Sequence, residues 1–120
     1  MSKKNNDGLP SEYMRQVKLV CWWRRNYPAI EIYHTPNGEK REKAVALRLK
    51  NMGVKRGIWD LYAREVNLWI EVKKPGESLT KEQKEWQEYC EPFGDNFIVV
   101  DDLNEGIKEI TTFLNNYLDR

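Results

Sequence analysis

Apolar and polar positions recur along this chain with two different periods, and each change of period marks an element. Residues 11–25, SEYMRQVKLVCWWRR, repeat their apolar positions at helical spacing, so Met14, Val17, Val20 and Cys21 form a stripe predicted to face the core. Ser11 is placed to cap this helix, and Glu12 sits in its first turn, where a negative charge suits the helix dipole. Pro28 ends the element. Residues 29–34, AIEIYH, have the character of a strand, and Pro36-Asn37-Gly38 is a turn signal. A second helix is predicted over 39–52. Val45, Leu49 and Met52 share one face; Lys40, Arg41, Lys43, Arg48 and Lys50 lie elsewhere, and Gly53 stops the helix.

The second half changes to a period of two. Residues 58–63 and 67–73 read as strands around a short polar turn, Arg64-Glu65-Val66, and Pro75-Gly76 breaks the chain. Thr80 opens a helix over 80–91, residues 97–100 form a buried strand, and a closing helix over 103–118 turns Ile107, Ile110, Phe113, Leu114 and Tyr117 inward. The order is α-β-α-β-β-α-β-α. A hairpin followed by a helical crossover to another strand predicts an α/β fold with a mixed central sheet flanked by helices.

Composition narrows the class. The chain has 120 residues, 40% hydrophobic and 32% charged, which fits one globular domain over 11–120 behind a short polar lead, residues 1–10. No apolar run approaches a membrane span, and the lead has no signal-peptide core. Cys21 and Cys90 form no CxxC pattern and His34 is the single histidine, so a zinc site is not expected. Both cysteines are expected as reduced thiols in a cytoplasmic protein. Net charge is only +1, but residues 1–57 carry +8 and residues 58–120 carry −7. A basic half suits a polyanionic partner, although ordinary surface clustering gives the same balance.

The candidate chemistry lies in "WDLYAREVNLWIEVKK". Strand alternation points Leu68, Ile70 and Val72 one way and Trp69, Glu71 and Lys73 the other. A short connection brings Asp60 beside Glu71, since cross-strand neighbours lie about 5 Å apart. Two carboxylates so close need a compensating charge, and a hard cation such as Mg²⁺, which prefers oxygen ligands and keeps several waters, supplies it. With Lys73 on the same face, the set has the parts for phosphodiester hydrolysis. Taken alone, the same residues could also be a cross-strand ion pair on a solvated sheet face.

The segments "TPNGEKRE", "GVKRGIWDLY" and "LWIEVKKPGESLTKEQKEW" resemble the VRR-NUC family of the PD-(D/E)XK nuclease superfamily, over about residues 11–103. The resemblance implies a restriction-endonuclease-like core and a Mg²⁺-dependent endonuclease, with Mn²⁺ able to substitute. It implies that Asp60, Glu71, the carbonyl of Val72 and Glu12 hold the metal, and that Lys73 and Gln83 complete the catalytic set. Trp59 departs from the family pattern, where a small residue or proline is common before the aspartate. Small stand-alone members are mostly viral or phage proteins that cut branched DNA, including four-way junctions, as homodimers, which would place this chain in a host cytoplasm. A restriction-like or flap-directed endonuclease of the same fold, or a DNA-binding module without activity, are the alternatives.

Several residues carry two readings. Glu12 could serve only the helix dipole, and Gln83, three residues after Thr80, could complete a capping box. His34 reads as a strand-end histidine, and Gly53 and Gly57 as backbone-geometry positions. Arg41, Arg48, Lys55, Arg56 and Lys74 are candidate phosphate contacts. Trp22, Trp23, Tyr27, Tyr33, Phe113 and Tyr117 are available to a core or to a dimer interface.

Overall fold

Among the described residues, four strands pair in chain order into one sheet, β1 (Tyr33–His34), β2 (Leu61–Ala63), β3 (Leu68–Val72) and β4 (Asn96–Val100). The first two junctions are antiparallel and the last is parallel. The helices are α1 (Ser11–Asn26), α2 (Lys43–Asn51), α3 (Lys81–Cys90) and α4 (Leu103–Leu118). This computed structural model describes residues 11–35 and 43–119; the polar lead, the Pro36-Asn37-Gly38 turn, the predicted start of the second helix and Arg41 lie outside the described residues. The expected α/β architecture, a mixed sheet flanked by helices, is the one observed.

The sheet separates two apolar clusters. On one face Leu61, Leu68, Ile70, Val72, Ile98 and Val100 pack with Leu19 and Trp23 of α1 and with Ile110 and Leu114 of α4. On the other, Trp59 and Trp69 pack with Cys90 and Trp86 of α3 and with Phe97. The alternation predicted for β3 therefore holds, with Leu68, Ile70 and Val72 on the first face and Trp69 on the second. Gly106 lets α4 lie directly on β4, since a Cβ there would stand 2.6 Å from Val100 Cγ1.

Other expectations are corrected. The core side of α1 is Leu19 and Trp23, whereas Val17 and Cys21 are exposed. The helix carries apolar residues on two sides, and the sheet takes the side with the larger side chains. Only Tyr33 and His34 of the segment 29–34 pair as strand; Ile32 is buried as a core side chain. Helix α2 has no buried residue, and Met52 is exposed. The turn at Arg64–Val66 is a 3-10 turn whose Val66 is buried, closed by Asn67 in the left-handed region at φ 50°. Of the aromatics available to an interface, Trp23 is buried and Trp22, Tyr27, Phe113 and Tyr117 pack against the core, so these serve folding; Tyr33 remains exposed.

Candidate active site

Three ionisable side chains are buried where β2 and β3 meet: Asp60 is 7% exposed, Glu71 3% and Lys73 4%. Leu61 pairs with Ile70, so one step further along the hairpin Asp60 faces Glu71. Hydrogen bonds lock this placement. The Asp60 amide donates to Glu71 Oε1 at 3.1 Å, and the Val72 amide donates to Asp60 Oδ2 at 2.9 Å. Each acid thus replaces part of its lost hydration with a backbone amide, which a buried carboxylate requires.

Lys73 Nζ lies 3.9 Å from Glu71 Oε2, long for an ion pair. It does not offset burial. Desolvation, followed by the charge of Asp60, pushes the Glu71 carboxyl up to about 8, with Lys73 acting in the opposite direction.

Gln83 holds Glu71 from the other side. Its Nε2 donates to Glu71 Oε2 at 2.8 Å. Its Oε1 accepts the Thr80 amide at 2.9 Å, while its own amide donates to Thr80 Oγ1, closing a capping box. The capping-box reading of Gln83 is thus realised, and the same side chain also touches Glu71. Trp59, the departure from the family pattern, is buried, and its indole donates to Gln83 O at 3.0 Å, tying α3 to the segment just before β2 that carries Asp60. Gly57, at φ 90°, makes the same approach possible, since a Cβ there would lie 2.5 Å from Glu82 O.

Glu12 faces the same groove, but its partner is Glu77. Burial and then the Glu77 charge raise the Glu12 carboxyl, while the Lys74 amide, donating to Glu77 Oε1 at 3.1 Å, holds Glu77 low. Arg15 donates to Lys73 O at 2.8 Å and fixes α1 against the end of β3. Sequence reasoning missed Glu77 and Arg15. Arg15 stands three residues after Glu12, the spacing of helix neighbours, so its place was discoverable; Glu77 reaches the site from an irregular loop. His34 Nδ1 lies 2.9 Å from Asp60 O, and facing a carbonyl it is the donor.

A groove of about 780 Å³ opens over the cluster, lined by Glu12, Asp60, Glu71, Val72, Lys73, Gln83 and Arg56 among others. Arg48, Lys55 and Lys74 are exposed and lie outside this lining. Among the described residues, no three His, Cys, Asp or Glu side chains gather closely enough to hold a metal by themselves. Two carboxylates beside a strand backbone are nevertheless a hard oxygen set, and Mg²⁺ binds through one or two carboxylates with waters completing its shell. The residues present fit that ion.

No family model matches the sequence, and comparison with curated proteins finds no relative. Among solved structures, one described as a "VRR_NUC domain protein" superposes on 90% of this chain and 90% of its own length, with a TM-score of 0.69 and 27% sequence identity. At that coverage the chain is similar, in fold and in part in sequence, to a VRR_NUC domain protein.

Proposed function

We propose that this protein is a metal-dependent DNA endonuclease that hydrolyses phosphodiester bonds and prefers branched DNA such as four-way junctions. One observation carries the reading: Asp60, Glu71 and Lys73 are buried together beneath an open groove, in a VRR_NUC-type fold. A buried acid pair that serves only folding is costly, because desolvation exceeds the gain from imperfect pairing. A site for a cation and a phosphate accounts for it.

In this reading Asp60, Glu71 and the carbonyl of Val72 hold Mg²⁺, or Mn²⁺ in its place, with Glu12 at the edge of the set. When bound, the ion lowers the pKa of water and offsets charge on the phosphoryl oxygens. The chain's own groups do the rest. Gln83 orients Glu71, and the Lys73 ammonium stands beside the reacting phosphate to stabilise its added negative charge. Arg56 meets a flanking phosphate in the groove, and Arg48, Lys55 and Lys74 extend phosphate contact beyond it; Arg41, outside the described residues, is a further phosphate-contact candidate. Two free cysteines, one of them exposed, agree with a reducing cytoplasm.

A homodimer belongs to the same reading, because two symmetric cuts in a junction need two sites related by a two-fold axis. Of the aromatics considered for it, Tyr33 stays exposed, and Tyr89 and Phe93, 62% and 70% exposed, add further apolar surface.

The test is a panel of labelled DNAs (single strand, duplex, flap, fork and four-way junction) incubated with Mg²⁺, Mn²⁺ or EDTA. Metal-dependent paired cuts in the junction, with weak cutting of duplex, are expected. Preference for a flap or a plain duplex would favour the other endonuclease readings. Binding without cleavage in any metal would make the chain a DNA-binding module.

A further inference from the structure

The exposed side of α1 is a wall of the groove. Tyr13, Val17, Val20 and Cys21 all line it, at the spacing of one helical face, and Tyr13 is 55% exposed. Three of these four belong to the stripe whose pattern predicts burial in the core, a place the structure gives to Leu19 and Trp23. Val20 packs partly on the core, but Tyr13, Val17 and Cys21 stay exposed, and an exposed apolar face set beside a buried acid cluster calls for an apolar occupant. The volume, about 780 Å³, exceeds what an ion and a phosphate need. Besides Lys73, two further cations, Arg24 and Arg56, line it.

Duplex DNA presents phosphate and sugar to a protein surface, and an apolar wall gains little from either. An unpaired base presents a flat apolar face, which stacks on an aromatic ring regardless of sequence. Arg24 and Arg56 supply positive charge along the groove for the phosphates of such a strand. Resting on the nuclease reading and naming its substrate more closely, we infer that the groove takes a DNA strand with an unpaired nucleotide beside the scissile phosphate, its base lying against Tyr13 and Val17. The site then selects strands at a branch point where pairing is interrupted.

Binding by an Asp60→Asn protein tests this. Asparagine keeps an oxygen for the Val72 amide, silences the chemistry and removes one charge that repels phosphate. Fluorescence anisotropy would compare a blunt duplex with the same duplex carrying a single-stranded tail, and 2-aminopurine beside the junction would report stacking. Tyr13→Ala should weaken binding of the tailed DNA by roughly five- to 150-fold, the range for one lost base–aromatic stack. Tyr13→Phe should retain it, and blunt-duplex binding should not change. Equal loss on both DNAs, no loss on either, or 2-aminopurine emission indifferent to Tyr13 would overturn the inference. So would self-association of the protein abolished by Val17→Glu, which would assign the wall to a second copy. The two readings fail separately. Wild-type cleavage without a Tyr13 effect sinks only the groove inference, whereas Tyr13-dependent binding without metal-dependent cleavage sinks only the nuclease.

Discussion

Glu71 accepts the backbone amide of Asp60 at 3.1 Å, so one acid is positioned by the main chain of the other. Their closeness is built into the hairpin and does not depend on a bound ion. Its cost falls on Glu71, whose carboxyl is raised to about 8. Between the ordinary carboxylate range and that value the folded protein holds one proton more than the unfolded chain, so raising the pH favours unfolding. In EDTA, stability should fall from about pH 4.5 to pH 8 by up to about 1.4 kcal/mol per unit. Urea denaturation across that range checks it. Glu71→Gln should flatten the slope, and saturating Mg²⁺ should flatten it in the wild type. Metal-free stability that stays level or rises over this window would contradict the burial of an acid proton at Glu71.

Lys73 separates charge stabilisation from metal binding. Lys73→Met preserves the buried stem and removes the ammonium. Cleavage should fall by about 10²–10³-fold, as when one transition-state charge partner is lost. Metal binding should persist by calorimetry, with weaker affinity at neutral pH, because without Lys73 the Glu71 carboxyl rises further. Unchanged turnover at saturating metal would remove Lys73 from the mechanism.

The two functions of Gln83 can also be divided. Thr80→Ala deletes the side-chain cap of α3, costs about 1 kcal/mol of stability and should leave cleavage intact. Gln83→Ala also strips a donor from a buried carboxylate, adding about 1–3 kcal/mol, and should lower metal affinity and cleavage together. Thermal melts paired with cleavage rates read both. Equal loss of activity in the two variants would reduce Gln83 to a cap.

Gly57→Ala probes the same helix from its backbone. A Cβ at this position meets Glu82 O at 2.5 Å and occupies a left-handed conformation, so α3 must shift. Stability should fall by more than about 1 kcal/mol, and cleavage should fall with it because Gln83 moves away from Glu71. Full activity in a destabilised variant would show that α3 position and catalysis are uncoupled.

Much of this arrangement was legible in the residue pattern, for identifiable reasons. Strand alternation alone places Glu71 and Lys73 on one face, and the T-K-E-Q spacing alone announces the α3 cap. The hairpin register that sets Asp60 against Glu71 follows from a connection too short to allow much else. Helix α1 was misread because it has two apolar sides, and only the sheet decides which is buried. The Glu12–Glu77 contact was hidden because one partner lies in an irregular loop, where spacing carries no facing rule. Val66 sits in a stretch whose sequence predicts a polar turn, but the tight turn at Arg64–Val66 buries it.

The hairpin also orders events in time. Asp60 and Glu71 meet across a connection of a few residues, while β4 joins β3 only after α3 has crossed between them. Contacts local in sequence close before distant ones. The two acids are therefore expected to come together on a hairpin still wet with solvent, with desolvation completed only when α3 and β4 dock. Mg²⁺ and the Glu71 proton should then leave the refolding limb of a chevron nearly unchanged and slow the unfolding limb, so the ion acts as a latch on the finished fold rather than a nucleus for it.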